Sequence, residues 1–328
     1  MWYIDITGFD THAEIADTLS KLGVKRIYVK VVDGGINPTI WPEILDQRLV
    51  ADYKSKGLEV WAWSYNYPGN NIQQAMALYQ AAETGYDGYV VDVEVEFDGD
   101  FVNLNALFSA FHSARNDAIN DGFINPDFKI YSTTWGNPAD HNYRIDAIDP
   151  WVDGYMPQTY VENWGQSFID NLEYWIDVGN KEFIDLGATK PIHHIVSTEK
   201  GIFTSEQVNS FIQHSGSETS IWRIPGGEVP QSIWETWEEV NWDYVCACDE
   251  ISGFQYENYF TGTEDNNWTN PLNWSLKKVP DSCHKVVIGA GKTIEIPSNT
   301  EVKCYAFELR GDARLHIGKN VSLYSVKD

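Results

Sequence analysis

The sequence predicts an α/β chain. Residues 1–242 read as a closed (β/α)8, or TIM, barrel, 243–260 as a linker, and 261–328 as a small all-β domain, a β-solenoid or β-sandwich. Three observations carry this. From Trp2 to about Trp237, apolar β-branched runs alternate with longer amphipathic segments, the pattern of parallel strands joined by crossover helices. The strand-like runs number about eight, as barrel closure requires. After Trp242 the period changes, and from Gly262 short apolar alternations end at Gly, Asn or Pro turns with no helix between them.

The expected barrel strands are Trp2 to Thr7, Arg26 to Val32, Leu58 to Tyr65, Gly88 to Glu96, Lys129 to Thr134, Gly154 to Tyr160, Ile192 to Ser197 and Thr219 to Ile224. Between them lie helix signals. Thr11 with Glu14 forms a capping box for a helix through Leu22, closed by Gly23, and Thr204 repeats the device. Asn71 opens a helix from Gln73 to Thr84, and Asn103 opens one to Asp121. Ser167 precedes a helix from Phe168 to Val178, with Gly179 as its stop. Asn137-Pro-Ala-Asp-His-Asn-Tyr-Arg144 is turn-like and leaves room for only a turn or two of the fifth helix. A doubly wound open sheet fits the alternation too, but Gly8-Phe-Asp-Thr-His12 is no Gly-rich phosphate loop. In the last quarter, Lys285–Gly291, Thr293–Pro297, Glu301–Gly311, Ala313–Gly318 and Val321–Val326 are the short alternating runs.

With 328 residues, 43% of them hydrophobic, and 14 Trp and 18 Tyr, the chain can bury a sizeable core. A net charge of −25, from 23 Lys+Arg against 48 Asp+Glu, argues against nucleic acid and anionic membrane surfaces as partners. No stretch approaches the ~20 apolar residues of a membrane span, and the N-terminus has no secretory signal pattern. The expected setting is the cytoplasm or non-classical export, or, as the C-terminal resemblance given below implies, a phage virion or lysin. Cys246, Cys248, Cys283 and Cys304 lack disulfide-framework or zinc spacing and read as buried or idle thiols. The adjacent His193 and His194 would face opposite ways on a strand, so the pair reads as core plus surface rather than as a metal site. No cofactor is expected.

The candidate chemistry centres on Tyr86-Asp-Gly-Tyr-Val-Val-Asp92-Val-Glu94-Val-Glu96. Read as a strand, it turns Val91, Val93 and Val95 to one face and Asp92, Glu94 and Glu96 to the other. Crowded carboxyls cannot all ionise freely, so at least one pKa is driven up, which keeps an acid protonated near neutral pH. The bland alternative is an exposed edge strand with one wet face. Barrel chemistry sits where strands stop. Those positions supply Lys30 and Asp33, Trp63 and Tyr65, the three acids, Gln158 and Tyr160, and Trp222. Trp61, Trp63 and Tyr65 share a parity, facing either the lumen or the helices; the lumen is favoured. Carboxylates among aromatics and amides suit carbohydrate chemistry, since rings stack on sugar faces and a protonated acid can donate to the glycosidic oxygen.

These motifs resemble two families. Asp92-Val-Glu94 is similar to the Asp-x-Glu strand of lysozyme-type glycoside hydrolase family 25. Asp92-x-Glu94-x-Glu96, Met156-Pro-Gln-Thr-Tyr160 and Ile221-Trp222 resemble strands of chitinase-type family 18, although the spacing from Asp87-Gly88 to the acids is two residues shorter than in that family. Asn267-Trp-Thr-Asn-Pro-Leu-Asn-Trp274 resembles short β-helical modules on surface proteins of Bacteroidetes and their phages. The resemblance implies a retaining hydrolase of an N-acetylated bacterial cell-wall or surface glycan such as peptidoglycan. Glu94 or Glu96 would be the proton donor, Asp92 would steer the acetamido oxygen, and Gln158 and Tyr160 would bind the intermediate. The alternative from another class is a non-catalytic glycan-binding or structural virion or surface protein, meeting other subunits through its C-terminal domain.

Overall fold

In a computed structural model, residues 7–34, 39–215, 218–226, 232–242, 256–276, 278–281 and 284–325 are described. The chain divides into two compact units, one of residues 1–188 and 192–243, the other of 189–191 and 244–328. Among the described residues no helix is long and apolar enough to cross a membrane.

The first unit is mixed α/β around one curled sheet. Its strands are β1 (Arg26–Asp33), β2 (Thr39–Ile40), β3 (Glu59–Tyr65), β4 (Gly88–Asp92), β5 (Lys129–Trp135), β6 (Gly154–Gln158), β7 (Ile195–Ser197) and β8 (Ser220–Trp222), in the order β2-β1-β3-β4-β5-β6-β7-β8. All neighbours are parallel except β2 on β1. Curling brings the two ends of the sheet together: Arg26 Nη1 lies 3.1 Å from Glu218 Oε2, and Ser220 Oγ donates to the Tyr28 hydroxyl at 3.3 Å. The strand expected from Trp2 falls outside the described residues except for Thr7, which sits buried in a turn.

The helices are α1 (His12–Leu22), α2 (Gln47–Lys54), α3 (Asn71–Thr84), α4 (Phe101–Asn120), α5 (Ile145–Ile148), α6 (Val161–Trp164), α7 (Gln166–Ile169), α8 (Leu172–Asp185), α9 (Ser205–Ser215) and α10 (Ser232–Glu239). The α1 capping box is present, with Thr11 Oγ1 accepting from the Glu14 N–H and Glu14 accepting from the Thr11 N–H. Thr204 and Gln207 form the same box ahead of α9. Three helix starts differ from expectation. Ser167 and Phe168 lie inside the short α7, and the longer helix begins at Leu172. Asp100, not Asn103, caps α4, accepting from the Asn103 N–H at 3.0 Å. Asn70, in the left-handed region at φ 49°, precedes α3 without a side-chain cap bond. Gly179 does not stop α8: a Cβ there would stand 2.9 Å from the Gly136 carbonyl oxygen, so glycine serves close packing and the helix continues to Asp185.

The sheet's two faces carry different residues. Val29, Val60, Ala62, Tyr89, Val91 and Ile130 join the core under the helices, whereas Trp61, Trp63, Val90, Tyr131, Met156 and Ile195 cluster on the lumen face. That lumen has a floor in which glycine faces ring. Gly88 pairs with Trp61 and Gly154 with Tyr131, and the two rings lie 4.9 Å apart.

In the second unit, β9 (Tyr256–Phe260), β10 (His284–Ile288), β11 (Thr293–Ile296), β12 (Glu301–Cys304), β13 (Ala306–Leu309), β14 (Arg314–Ile317) and β15 (Ser322–Ser325) pair in parallel. Lys285 pairs with Ala306, Thr293 with Arg314 and Glu301 with Ser322, so each partner lies 21 residues further along. Inward residues alternate, Ile294 and Ile296 being buried beside Val302 and Cys304. Asn299 and Asn320, also one register apart, both take left-handed turn positions that asparagine tolerates, and their side chains hydrogen-bond at 3.1 Å. The expected linker 243–260 therefore includes strand β9 at its described end. Burial pushes the Cys304 thiol up to about 11, in keeping with an idle thiol; Cys246, Cys248 and Cys283 lie outside the described residues.

The segment Asn267–Trp274 builds the core of this unit. Trp268 and Trp274 are fully buried with ring centroids 5.0 Å apart. Buried Asn273 accepts from the Glu264 and Asp265 N–H groups and donates to the Asn267 carbonyl at 2.9 Å. Asn273→Ala is expected to destabilise this unit by about 1–2 kcal/mol, because the two backbone N–H groups of Glu264 and Asp265 lose their acceptor and the Asn267 carbonyl loses a donor. Hydrogen exchange at the Glu264 and Asp265 amides checks it, and unchanged protection there contradicts the role.

Candidate active site

The acidic stretch is not one strand. β4 ends at Asp92, Val93 N–H still reaches the Thr133 carbonyl at 3.1 Å, and Val95–Phe97 form a 3-10 turn. The reason is Phe97: its ring is fully buried, which turns the chain inward and leaves Val95 57% exposed. The expected strand to Glu96 is corrected accordingly, since side-chain alternation ends at Asp92.

The turn nevertheless gathers the acids. Gln158 Nε2, at the end of β6, donates to Asp92 Oδ1 at 3.1 Å and to Glu94 Oε1 at 2.9 Å. Tyr65 donates its hydroxyl to Glu96 Oε2 at 2.9 Å. A cavity of about 260 Å³ lies beneath, lined by Trp63, Asp92, Met156, Gln158, Tyr160 and Trp222 among others, and it continues between β1 and β8 to Tyr28 and Ser220. Trp63 and Trp222 meet edge to face at 5.7 Å. Lys30, buried at the end of β1, pairs with half-exposed Asp33 at 3.1 Å. All ten residues singled out in the sequence thus lie at the C-terminal ends of β1, β3, β4, β6 and β8 or on the segments leaving them.

Burial pushes the Asp92 carboxyl well above its ordinary range, the charge of Glu94 adds to this, and Lys30 opposes it. Glu94 is raised by burial and by Glu96, against the Gln158 hydrogen bond, Lys30 and His141. Burial, then Asp92 and Glu94, raise the Tyr160 phenol well above its usual value, so it stays a donor.

These shifts have a consequence for stability. A carboxyl whose folded pKa lies above its unfolded value binds extra protons in the native state. Its contribution is therefore fully present below about pH 4 and is lost as pH rises through the folded pKa. Asp92→Asn is expected to raise Tm at pH 7 and to flatten the fall of Tm as pH rises above about 4. Parallel wild-type and mutant Tm-against-pH curves would sink this.

Several contributors went unread in the sequence. Asn66, fully buried, holds the Asp92 carbonyl with its backbone N–H at 2.9 Å and its side chain at 3.0 Å. Its position one residue beyond Tyr65 was the available signal. Trp135 stacks on His141 at 4.2 Å, and both hydrogen-bond Asp98. His141 lies in the turn-rich segment after β5, where no periodicity marks it. His194 is hydrogen-bonded on both ring nitrogens, to Thr159 at 2.8 Å and Asn180 at 3.0 Å, and burial pushes its pKa down to about 3. His193 stacks on Tyr131. Among the described residues no group of three or more His, Cys, Asp or Glu side chains is arranged to hold a metal ion.

No family model and no curated protein sequence matches the chain. Among solved structures it is similar to a class V chitinase from Nicotiana tobaccum, at 17% identity and a TM-score of 0.42 over 60% of this chain and 65% of that one. A mutant of that enzyme in complex with NAG4 matches at 16% identity with the same TM-score and coverage. A GH18 chitinase from Pseudoalteromonas aurantia matches at 10% identity and a TM-score of 0.44, over 71% of this chain and 98% of that one. The structural neighbours are therefore chitinases, and the chain covers less than two thirds of the length of the Nicotiana enzyme.

Proposed function

We propose that the first unit is a (β/α)8-type glycoside hydrolase that cleaves an N-acetylated bacterial cell-wall or surface polysaccharide with retention of configuration. One observation carries the reading: a single Gln158 nitrogen hydrogen-bonds both Asp92 and Glu94. Two oxygens held by one nitrogen at such distances are at most about 6 Å apart. Inverting enzymes need ~6.5–9.5 Å between carboxyls to seat a water, so these two are too close to serve as an inverting acid and base. Glu94, raised by burial, protonates the glycosidic oxygen. The acetamido oxygen closes on the anomeric carbon as the bond to the protonated glycosidic oxygen breaks and the leaving sugar departs as an alcohol, with Asp92 and Tyr160 holding the acetamido group; water then attacks the anomeric carbon, giving a proton to Glu94 and opening the ring. Trp63 and Trp222 offer ring faces to the sugar. The 21-residue register shared by three of the four strand pairings supports reading the second unit as a small β-solenoid, which would attach the hydrolase to a virion or cell surface.

The test is reducing-end release from peptidoglycan, chitin oligosaccharides and other N-acetylated glycans, with the anomer of the first product read by proton NMR. Turnover with a retained anomer is expected. Binding without turnover of any of them would leave a glycan-binding module, and an inverted first product would overturn the mechanism.

A further inference from the structure

The two ends of the second unit are finished differently. Strands β10, β11 and β12 form one layer, and β13, β14 and β15 lie against them in parallel, 21 residues further along. Partners in a parallel ladder share a face, so each inward residue of the first layer has its counterpart in the next. Val286, Ile288, Ile294, Ile296, Val302 and Cys304 are all buried. Their counterparts fare otherwise: Leu309, opposite Ile288, is 45% exposed, Ile317, opposite Ile296, is 56% exposed, and Leu323, opposite Val302, is 37% exposed. The core column thus runs out into solvent. Among the described residues no strand pairs with the outer edges of β13, β14 and β15, so three strand edges border those apolar side chains.

The opposite end is closed by the chain itself. There β9 covers the other edge of β10, while the Asn266 carbonyl accepts from the Glu295 N–H of β11 at 2.7 Å and the Trp268 N–H donates to the Glu295 carbonyl at 2.8 Å. Trp268 and Trp274 fill the core beneath, and Thr263, Glu264, Asp265 and Asn266 face solvent. Stacked repeats need such polar caps to stay soluble, so the bare end needs a cover. A head-to-tail stack would set the apolar end against the polar cap, whereas tail to tail each bare end meets its own likeness. Charge permits that pairing. Residues 306–325 carry Arg310, Arg314 and Lys319 against Glu308 and Asp312, a near balance within a chain of net charge −25, so two copies of this face lack the repulsion of two whole chains.

We infer that the protein forms a dimer in which β13, β14 and β15 of two copies meet end to end about a two-fold axis. Leu309, Ile317 and Leu323 then bury against the same set of residues in the second copy, and the outer strand edges pair antiparallel, the direction that a two-fold axis crossing the strands imposes. No part of this depends on the hydrolase reading.

Sedimentation velocity on the 328-residue protein from about 1 to 100 μM tests it, and a concentration-dependent monomer–dimer equilibrium is expected. Ile317→Asp and Leu309→Asp, which place a charge in the apolar end, should each weaken the dimer by at least about thirtyfold. Both side chains are half exposed in a single copy, so the fold should tolerate the change, and thermal melting checks that it does. Asn266→Arg at the closed end should leave the dimer intact. A wild-type protein that stays monomeric throughout overturns the inference, as do assemblies larger than two, an intact dimer in the folded Asp variants, or a dimer lost in Asn266→Arg. Should the Asp variants unfold, hydrogen exchange of the wild type decides: amides of residues 306–325 must slow as concentration rises while those of 261–270 do not, and exchange indifferent to concentration overturns it.

Discussion

Glu94→Gln is expected to lower kcat on any glycan the protein cleaves by about 10²- to 10⁴-fold, the usual contribution of a positioned general acid. KM should change little, because the amide keeps the shape and can still hydrogen-bond near Gln158. The proposed mechanism gives Glu94 this role because burial raises its pKa while the Gln158 bond orients it toward Asp92. Glu96 sits on the 3-10 turn with its Oε2 engaged by the Tyr65 hydroxyl. Glu96→Gln should therefore cost less than about tenfold, the loss of one orienting hydrogen bond. Steady-state kinetics on both variants separates them, and equal losses would reassign the acid. The sign of the pH dependence follows from the same shift. An acid with a raised pKa keeps its proton to higher pH, so the alkaline limb of kcat should lie above the ordinary carboxyl range and vanish in Glu94→Gln.

Gly88→Ala is expected to be the most disruptive small substitution in the lumen. An added Cβ would stand 2.5 Å from the indole of Trp61, a rigid ring that already packs on Tyr131 at 4.9 Å and lies under Arg26 at 4.2 Å. With no flexible end to yield, the cost should fall at about 2–3 kcal/mol, the upper part of the overpacking range. For a unit of this size that lowers Tm by roughly 4–12 °C. Trp61→Leu in the same chain should recover part of the loss, giving a favourable coupling in a double-mutant cycle. Additive losses would show that the strain is not between these two side chains. Gly154, 2.9 Å from Tyr131 by the same construction, should respond in the same direction.

Strand periodicity made much of the fold legible, because valine and aromatic runs of the right length have few other places to go. The lumen parity of Trp61, Trp63 and Tyr65, the boxes at Thr11 and Thr204, and the short C-terminal alternations each follow from local rules that need no partner to be known. Boundaries were less legible. Gly179 looks like a helix stop until Gly136 is seen packed against it, and Asp92-Val-Glu94-Val-Glu96 looks like one strand until Phe97 is seen entering the core.

By itself, the sequence determined that acids, rings and amides would stand at or just beyond the ends of several strands, since a period of two and the order of elements settle which face a residue takes. Only the tertiary structure decided that Gln158, 64 residues beyond Glu94, would bridge it to Asp92, and that a buried lysine would lie among the rings beside them. Those relations cross from strand to strand, and their geometry depends on how the sheet curls and where one phenylalanine turns the chain, which no local pattern encodes.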